Sequence, residues 1–593
     1  MDFAAALSHV EIFSGLPADA LATLAESAQT LTLASGEALY TEGEPPRHLY
    51  VLVHGRLQVT ARGKLLGYVN RHELVGEMGV VAAEARNASI RALRDCLLLS
   101  IPASAFMIFM RSQPDCLVQL TRLVITRGRH YQNLRQASVS AQGGTLALIP
   151  AAPGVPAVQL AEALTAHMQG WPQTRLVTSA HVDSLFGAGS AQTPLDGGAD
   201  DTRLRRWLAD LEHRHHFILY AADNGHDPWS LRCLRQADRI LMLAESGSAP
   251  EPVPVLHALQ AGGLVAPVEL VLLRPEGDAA PHTLAWCRAT GARAHYFVHP
   301  WAKAEIAALA RQISGRGIGL VLGGGGARGF AHIGLVRALE QLQIPVDIVG
   351  GTSMGAFVSA LLACGFDSVE MAHIAHETFV ARNYLNDYTL PKVSLIRGER
   401  FHARLAAIFG ARRIEELRRS YYCISTNLTT GLPMVHDQGS LATWVGTSMS
   451  VPGVAPPIAF EGDLLCDGGV VNNLPTDVMR GLERGLILAS NVSSEDDIRA
   501  PGAGRGEPDQ QALLNWKGSD RIPKLSEILM RSATLTSETI TRDAAIARSD
   551  IYLRMPVTDI GMFAWDQLDL LIERGYEYAM AELPKVIDRK SVV

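Results

Sequence analysis

A chain of 593 residues exceeds one hydrophobic core, and at ~150 residues per domain it calls for about four domains. With 48% apolar and 19% charged residues the balance is ordinary for a globular protein, and the net charge of −7 argues against nucleic acid as the main partner, because phosphate binding needs concentrated Lys and Arg. Seven Cys with no CxxC pair point to reduced thiols and no zinc site.

The N-terminus, Met1-Asp2-Phe3-Ala4, has no basic segment, and Glu11 interrupts the apolar stretch that follows. No signal peptide is expected. Charge-free runs at 136–161 and 438–460 are broken by Pro150, Pro153 and Pro156 and by Pro452, Pro456 and Pro457. A spanning helix needs ~20 mostly apolar residues. None is expected, so any membrane contact is peripheral and the location is cytoplasmic, at most at the inner face of the membrane.

Residues 1–136 read as β-rich. Short apolar runs at 49–53, 57–60, 65–69 and 96–101 alternate with turn signals at Gly36, Gly43, Gly55 and Gly63, a spacing that suggests a small barrel or jelly roll. A helix is expected before it at 17–28 and another after it at 103–136. Residues 143–315 switch to buried strands at 146–149, 217–220, 240–243 and 270–273, with helices between them at 157–169 and 230–236. That alternation predicts a Rossmann-like α/β domain. The stretch 187–201 reads as a loop. From 316 to 593 a second α/β pattern begins. A strand at 318–322 runs into a Gly-rich turn and a helix at 331–341; a strand at 347–349 runs into another turn and a helix at 356–364. A polar loop at 493–511 and helices at 525–547 and 565–586 close the chain.

Gly351-Thr352-Ser353-Met354-Gly355 fits G-x-S-x-G, in which a strand turns sharply into a helix and forces the serine hydroxyl outward. A chance pentapeptide in a tight turn is the bland alternative. Gly324, Gly325 and Gly326, on the preceding turn, let backbone N–H groups converge on one point, as the oxyanion of an attacked ester carbonyl requires. Met354, at the helix N-terminus, offers another N–H. Arg328 either orients that loop, adds positive potential or forms an ordinary salt bridge. The same glycines fit the dinucleotide pattern G-x-G-x-x-G, with Asp347 18 residues beyond Gly329 as the ribose-binding acid; against it, the second strand leads into a nucleophile elbow that such a fold does not need. No Gly-Lys-Ser/Thr follows the glycines, so a P-loop is excluded. Of the histidines beyond Ser353, none of His373, His376, His402 and His436 sits in a Gly-flanked strand end. Asp467 does, in Leu464-Leu465-Cys466-Asp467-Gly468-Gly469, although a plain turn reads the same way. A carboxylate there accepts the serine proton at ~2.6–3.2 Å, provided that burial lifts its pKa from ~3.9.

These three motifs, in this order, resemble the patatin-like phospholipases. The resemblance implies a Ser353–Asp467 dyad without histidine and an oxyanion hole at Gly324–Gly326 with Arg328 adjacent. Asn472-Asn473-Leu474-Pro475 and Ser448-Met449-Ser450-Val451-Pro452 also match, the latter near the acyl pocket. The implied activity is hydrolysis of fatty-acyl esters of phospholipids or lysophospholipids with no metal and no required cofactor. A neutral-lipid lipase and a scaffold with a vestigial site are the alternatives.

In the N-terminal module, Gly76 and Glu77 are followed by Arg86, Ala88 and Ser89. A cyclic phosphate needs a cation and turn amides, and a ribose hydroxyl needs a carboxylate. The run resembles the phosphate-binding cassette of cyclic-nucleotide-binding domains, with Val75 and Asn87 departing from it, and implies a cyclic nucleotide as regulator. A structural Glu77–Arg86 ion pair in a dead pocket is the other reading. A helix-turn-helix transcription factor is disfavoured, since no basic recognition helix follows. A jelly roll ahead of a patatin-like domain, with Asp227-Pro228-Trp229-Ser230 and Cys233 to Asp238 between them, resembles the neuropathy target esterase group, especially its bacterial members. Eukaryotic members carry an N-terminal transmembrane helix that is not expected here. The middle region is expected to be a spacer or docking domain. Neither the head group, the chain length nor the oligomeric state is legible.

Overall fold

A computed structural model describes residues 3–13, 15–113, 116, 119–125, 144–168, 174–223, 227–250, 266–274, 280–299, 302–493, 511, 515, 528, 531, 532, 535 and 542–590. Residues 494–510 of the predicted loop at 493–511, most of the helix at 525–547 and the C-terminal part of the helix at 103–136 lie outside these residues. The chain divides near residue 308 into two compact units.

The first unit opens with eight short strands: β1 (Gln29–Leu33), β2 (Ala38–Tyr40), β3 (His48–His54), β4 (Leu57–Ala61), β5 (Lys64–Val69), β6 (Leu74–Val75), β7 (Ser89–Ala92) and β8 (Cys96–Pro102). They form two four-stranded sheets, β1-β8-β3-β6 and β2-β7-β4-β5, whose ladders are antiparallel. Side-chain alternation decides what each face covers. Leu52 and Leu98 point between the sheets with Leu57, Val59 and Ile90. Leu49, Val51, Leu99 and Ile101 point the other way, onto helices that contribute Leu21, Leu24 and Phe106. This is the expected jelly roll.

The same unit continues with six parallel strands, β9 (Thr145–Pro150), β10 (Thr174–Val177), β11 (Phe217–Ala221), β12 (Arg239–Glu245), β13 (Val268–Leu273) and β14 (Ala294–Val298). Every residue of β9 and β11 is buried, as strands covered on both faces must be. The order β10-β11-β9-β12-β13-β14 exchanges the second and third strands relative to the dinucleotide-binding order, a refinement of the Rossmann-like expectation.

The second unit carries β15 (Gly317–Leu322), β16 (Ile348–Thr352), β17 (Ser420–Asn427), β18 (Leu432–His436), β19 (Ile458–Phe460), β20 (Asp463–Asp467), β21 (Gly485–Asn491) and β22 (Ile551–Arg554). The main order is β19-β20-β17-β16-β15-β21-β22, with β18 on β17. From β17 through β22 the neighbours run parallel; β18, β19 and β20 add antiparallel pairs. Helices α1 (Ala331–Gln341) and α2 (Met354–Ala363) follow β15 and β16, and α3 (Leu441–Ser448) and α4 (Leu568–Lys590) come later. In such sheets, ligands bind beyond the C-terminal strand ends, where the two glycine-containing turns lie.

Candidate active site

Parallel register sets the two turns side by side: Leu322, the last residue of β15, faces Gly351 of β16. Ser353 follows β16 at φ 55° and ψ −123°. A β-carbon with positive φ is strained on the order of 1–3 kcal/mol and persists only where its surroundings enforce it. Gly355 and Gly351 allow that turn, since a Cβ on Gly355 would lie 2.1 Å from the Leu322 carbonyl oxygen and one on Gly351 2.7 Å from the same atom. The Ser353 N–H donates to Ser448 Oγ at 3.0 Å, and Ser448 in turn donates to the Ile424 carbonyl at 2.6 Å. The nucleophile candidate is therefore braced by the end of α3.

The carboxylate reaches it across one strand. Thr352 pairs with Ile424 of β17, and the next residue of β17, Ser425, pairs with Asp467 at the end of β20. Ser353 Oγ donates to Asp467 Oδ2 at 2.6 Å, and the Gly469 N–H donates to Oδ1 at 2.8 Å. Asp467 is completely buried. Burial pushes its pKa up to about 6, against the two hydrogen bonds, which favour the ionised form. Its backbone N–H is held by the Ser450 carbonyl, so the run 448–450 fixes both partners.

The glycine loop is narrower than the sequence suggested. The Gly324 N–H donates to the Asn473 carbonyl at 3.3 Å, and Asn473 Nδ2 donates back to the Gly324 carbonyl at 3.1 Å. Gly324 is thus a clamped spacer rather than an anion donor: a Cβ there would lie 3.0 Å from Ser353 Cβ. Among the described residues, no acceptor takes the N–H of Gly325, Gly326 or Met354. Arg328 is buried, and its Nε donates to the Ile560 carbonyl at 2.6 Å. That bond ties the glycine loop to the segment at Ile560.

The dinucleotide alternative loses its parts. Asp347 is buried, bound by Arg311 at 2.6 and 3.1 Å and by the Ile318 N–H at 3.0 Å. A Cβ on Gly326 would lie 2.2 Å from the Met562 carbonyl oxygen, so backbone covers that turn. The sequence reading missed His332 on α1. Its Nε2 lies 2.9 Å from the Gly323 carbonyl, and Nδ1 lies 3.0 Å from Ser490 Oγ. Because a carbonyl only accepts, Nε2 carries the proton and Nδ1 accepts from Ser490. Burial lowers its pKa to about 4, so the ring is a neutral strut for the loop. His436 stacks on Trp444 and meets Ser425 Oγ at 2.7 Å. Among the described residues, no group of three or more His, Cys, Asp or Glu is placed to hold a metal ion, and no helix is long and apolar enough to cross a membrane.

In the jelly roll, Gly76, Glu77, Arg86 and Ala88 line one concavity with Tyr40, Val59 and Asn87. Arg86 lies 4.1 Å from the Tyr40 ring centroid and donates to the Gly76 carbonyl at 2.7 Å and to the His48 carbonyl. Among the described residues, its buried Nε has no acceptor. Ser89 lies on β7, with its hydroxyl accepting from the Glu42 N–H at 2.9 Å.

Residues 320–480, which hold the elbow serine, the buried aspartate and the glycine turn on a mostly parallel sheet, match the model of patatin-like phospholipases. Residues 143–314 match the neuropathy target esterase family P-loop like domain, and 30–113 match the cyclic nucleotide-binding domain. The chain carries all three domains in this order. It is 30% identical to lysophospholipase nte1 of Aspergillus oryzae over 93% of its own length and 41% of that protein. Against lysophospholipase nte1 of Emericella nidulans the identity is 30%, over 94% of this chain and 42% of the other. It therefore spans about two fifths of these relatives. Among solved structures, the regulatory domain of Toxoplasma gondii PKA with cAMP is 20% identical, covering 20% of this chain and 48% of that one at a TM-score of 0.19.

Proposed function

We propose that this chain is a serine esterase that hydrolyses fatty-acyl esters of phospholipids and lysophospholipids through Ser353 and Asp467. The observation that carries this reading is the 2.6 Å bond from Ser353 Oγ to a fully buried Asp467. In the proposed reaction, Ser353 Oγ attacks the acyl carbonyl carbon as its proton passes to Asp467 Oδ2. The carbonyl oxygen becomes an anion facing the unengaged N–H groups of Gly325, Gly326 and Met354, each such donor contributing roughly 3–4 kcal/mol. The Ser353 N–H is spent on Ser448 and is not among them. Collapse expels the glycerol oxygen, which takes the proton from Asp467 and leaves acyl-Ser353. Water then gives its proton to Asp467 and attacks the acyl carbon, and Ser353 recovers its hydrogen as the fatty acid leaves. A base near 6 suits this exchange better than an exposed carboxylate at ~3.9.

A fluorophosphonate probe and a panel of lysophosphatidylcholine, diacyl phospholipid and triacylglycerol test the reading. Labelling at Ser353 with phospholipid turnover supports it. Failure to label Ser353 favours the scaffold alternative, and turnover of triacylglycerol alone favours a neutral-lipid lipase.

The orphaned Nε of buried Arg86 beside Glu77 supports a second element: a cyclic nucleotide bound in the jelly roll as regulator. Calorimetric titration with cyclic AMP and cyclic GMP, before and after Arg86→Ala, reads it. No heat from the wild-type chain leaves the pocket empty of that role.

A further inference from the structure

The segment 384–397 of the second unit buries Ile396 and packs Tyr384 and Leu385 against the core, yet it turns three large apolar side chains at its tip outward. Tyr388 is 75% exposed, Leu390 82% and Val393 67%, so three of the most exposed large apolar residues lie within six positions. Hydrogen bonding fixes the tip. Tyr388 bridges Ile396, the Thr389 N–H donates to the Leu395 carbonyl at 3.0 Å, and the Arg397 N–H donates to the Asp387 carbonyl at 2.9 Å. The Asp387 carboxylate accepts from the Gly398 and Arg400 N–H groups, each at 3.2 Å. The base of the tip is joined to the site. The Leu395 and Ile396 N–H groups donate to the Gly453 and Val454 carbonyls, both at 3.0 Å, just beyond the run 448–450 that braces Ser353 and Asp467.

We propose that this tip is a lipid-surface anchor: Tyr388, Leu390 and Val393 enter the interfacial region of an anionic phospholipid layer, with Lys392 and Arg397 against its headgroups. The proposal rests on the esterase reading for its purpose, since an acyl chain must leave a lipid layer to reach Ser353. The charge favours this occupant, because Lys392, Arg397 and Arg400 outnumber Asp387 and Glu399 within 383–400, Arg382 before them being paired with Glu377, and Lys392 and Arg397 are exposed. Size favours it too. Three such side chains offer on the order of 400 Å², about half of the ~800 Å² per partner of a specific protein interface. A lipid layer needs no matching surface, and apolar insertion next to cations is the recognised pattern of peripheral attachment.

Sedimentation of the full chain with vesicles of phosphatidylcholine alone, or with 30% phosphatidylglycerol (about a third anionic), reads binding without turnover, so it stands or falls apart from the esterase reading. The wild type is expected to bind the anionic vesicles. The triple variant Tyr388→Ser, Leu390→Ser, Val393→Ser should lose at least tenfold in partition, and Lys392→Glu with Arg397→Glu should lose the preference for anionic vesicles. Near-UV circular dichroism confirms that the variants are folded. A wild type that stays in the supernatant, or a folded triple variant that partitions like the wild type, overturns the proposal. Loss of a protein contact with vesicle binding intact would mark the tip as a protein-docking surface and overturn it equally.

Discussion

Asp467 is held between two opposing effects. Burial disfavours its charge, while the Ser353 hydroxyl and the Gly469 N–H favour it, and burial wins, leaving the carboxyl at about 6. The consequences for activity and stability have opposite signs. A base must be ionised, so kcat/KM on a soluble ester is expected to rise with an apparent pKa near 6 and level off above 7; a pH–rate profile checks this, and a profile flat from pH 5 to 8 would contradict it. The folded value lies above the unfolded one, so the folded state binds more protons between about 4 and 6, and ionising Asp467 lowers stability as pH rises through that window. The elbow, the glycine turn and the candidate base were legible because each needs particular residue types at fixed offsets. His332 was not, because the chain order of a serine triad places its histidine beyond Ser353. Its strut role depends on the Gly323 carbonyl and Ser490 hydroxyl meeting one ring, a juxtaposition made only by folding.

At the scale of elements, the strand–turn–helix pairs around β15 and β16 were legible from apolar runs ending in glycines, and the expected helix at 331–341 coincides with α1. The strand β17 was not recognised. It is buried along almost its whole length yet ends in Ser425-Thr426-Asn427, so polarity there signals the site rather than a solvent face. That strand decides whether the two side chains meet, since its register carries Asp467 to Ser353. The crossing of α1 and α4 was equally hidden, although both helices were expected. A Cβ on Gly334 would lie 2.0 Å from the Ile572 carbonyl oxygen, and one on Gly575 2.1 Å from that of Ala331. Backbone cannot yield as a side-chain tip does. Gly334→Ala and Gly575→Ala are each expected to cost about 1–3 kcal/mol, whereas Gly481→Ala, which meets nothing within 4 Å, should change little. Denaturant midpoints distinguish these outcomes.

At the scale of the molecule, the run 227–238 singled out from sequence has a physical task. It lies where the six-stranded domain meets the jelly roll inside the first unit. Arg94 pairs with Asp238 at 2.9 Å and with Glu212, and Arg235 pairs with Asp95 at 3.0 Å. Leu93 packs into the neighbouring core, whose partly buried fringe includes Tyr68. Arg94→Ala removes the nearest cation from buried Asp238 and part-buried Glu212, which keep Arg56 and His54, and is expected to destabilise the first unit by about 1–3 kcal/mol, read as an earlier unfolding transition. An ion network of this kind reveals itself only when partners 118 and more positions apart are brought together. The most direct test of the Ser353–Asp467 proposal is hydrolysis of the best substrate in the phospholipid panel, measured at pH 8 for Ser353→Ala and Asp467→Asn. Both are expected to fall by at least ~1,000-fold while remaining folded. Retention of activity within tenfold of the wild type by either variant would contradict the dyad.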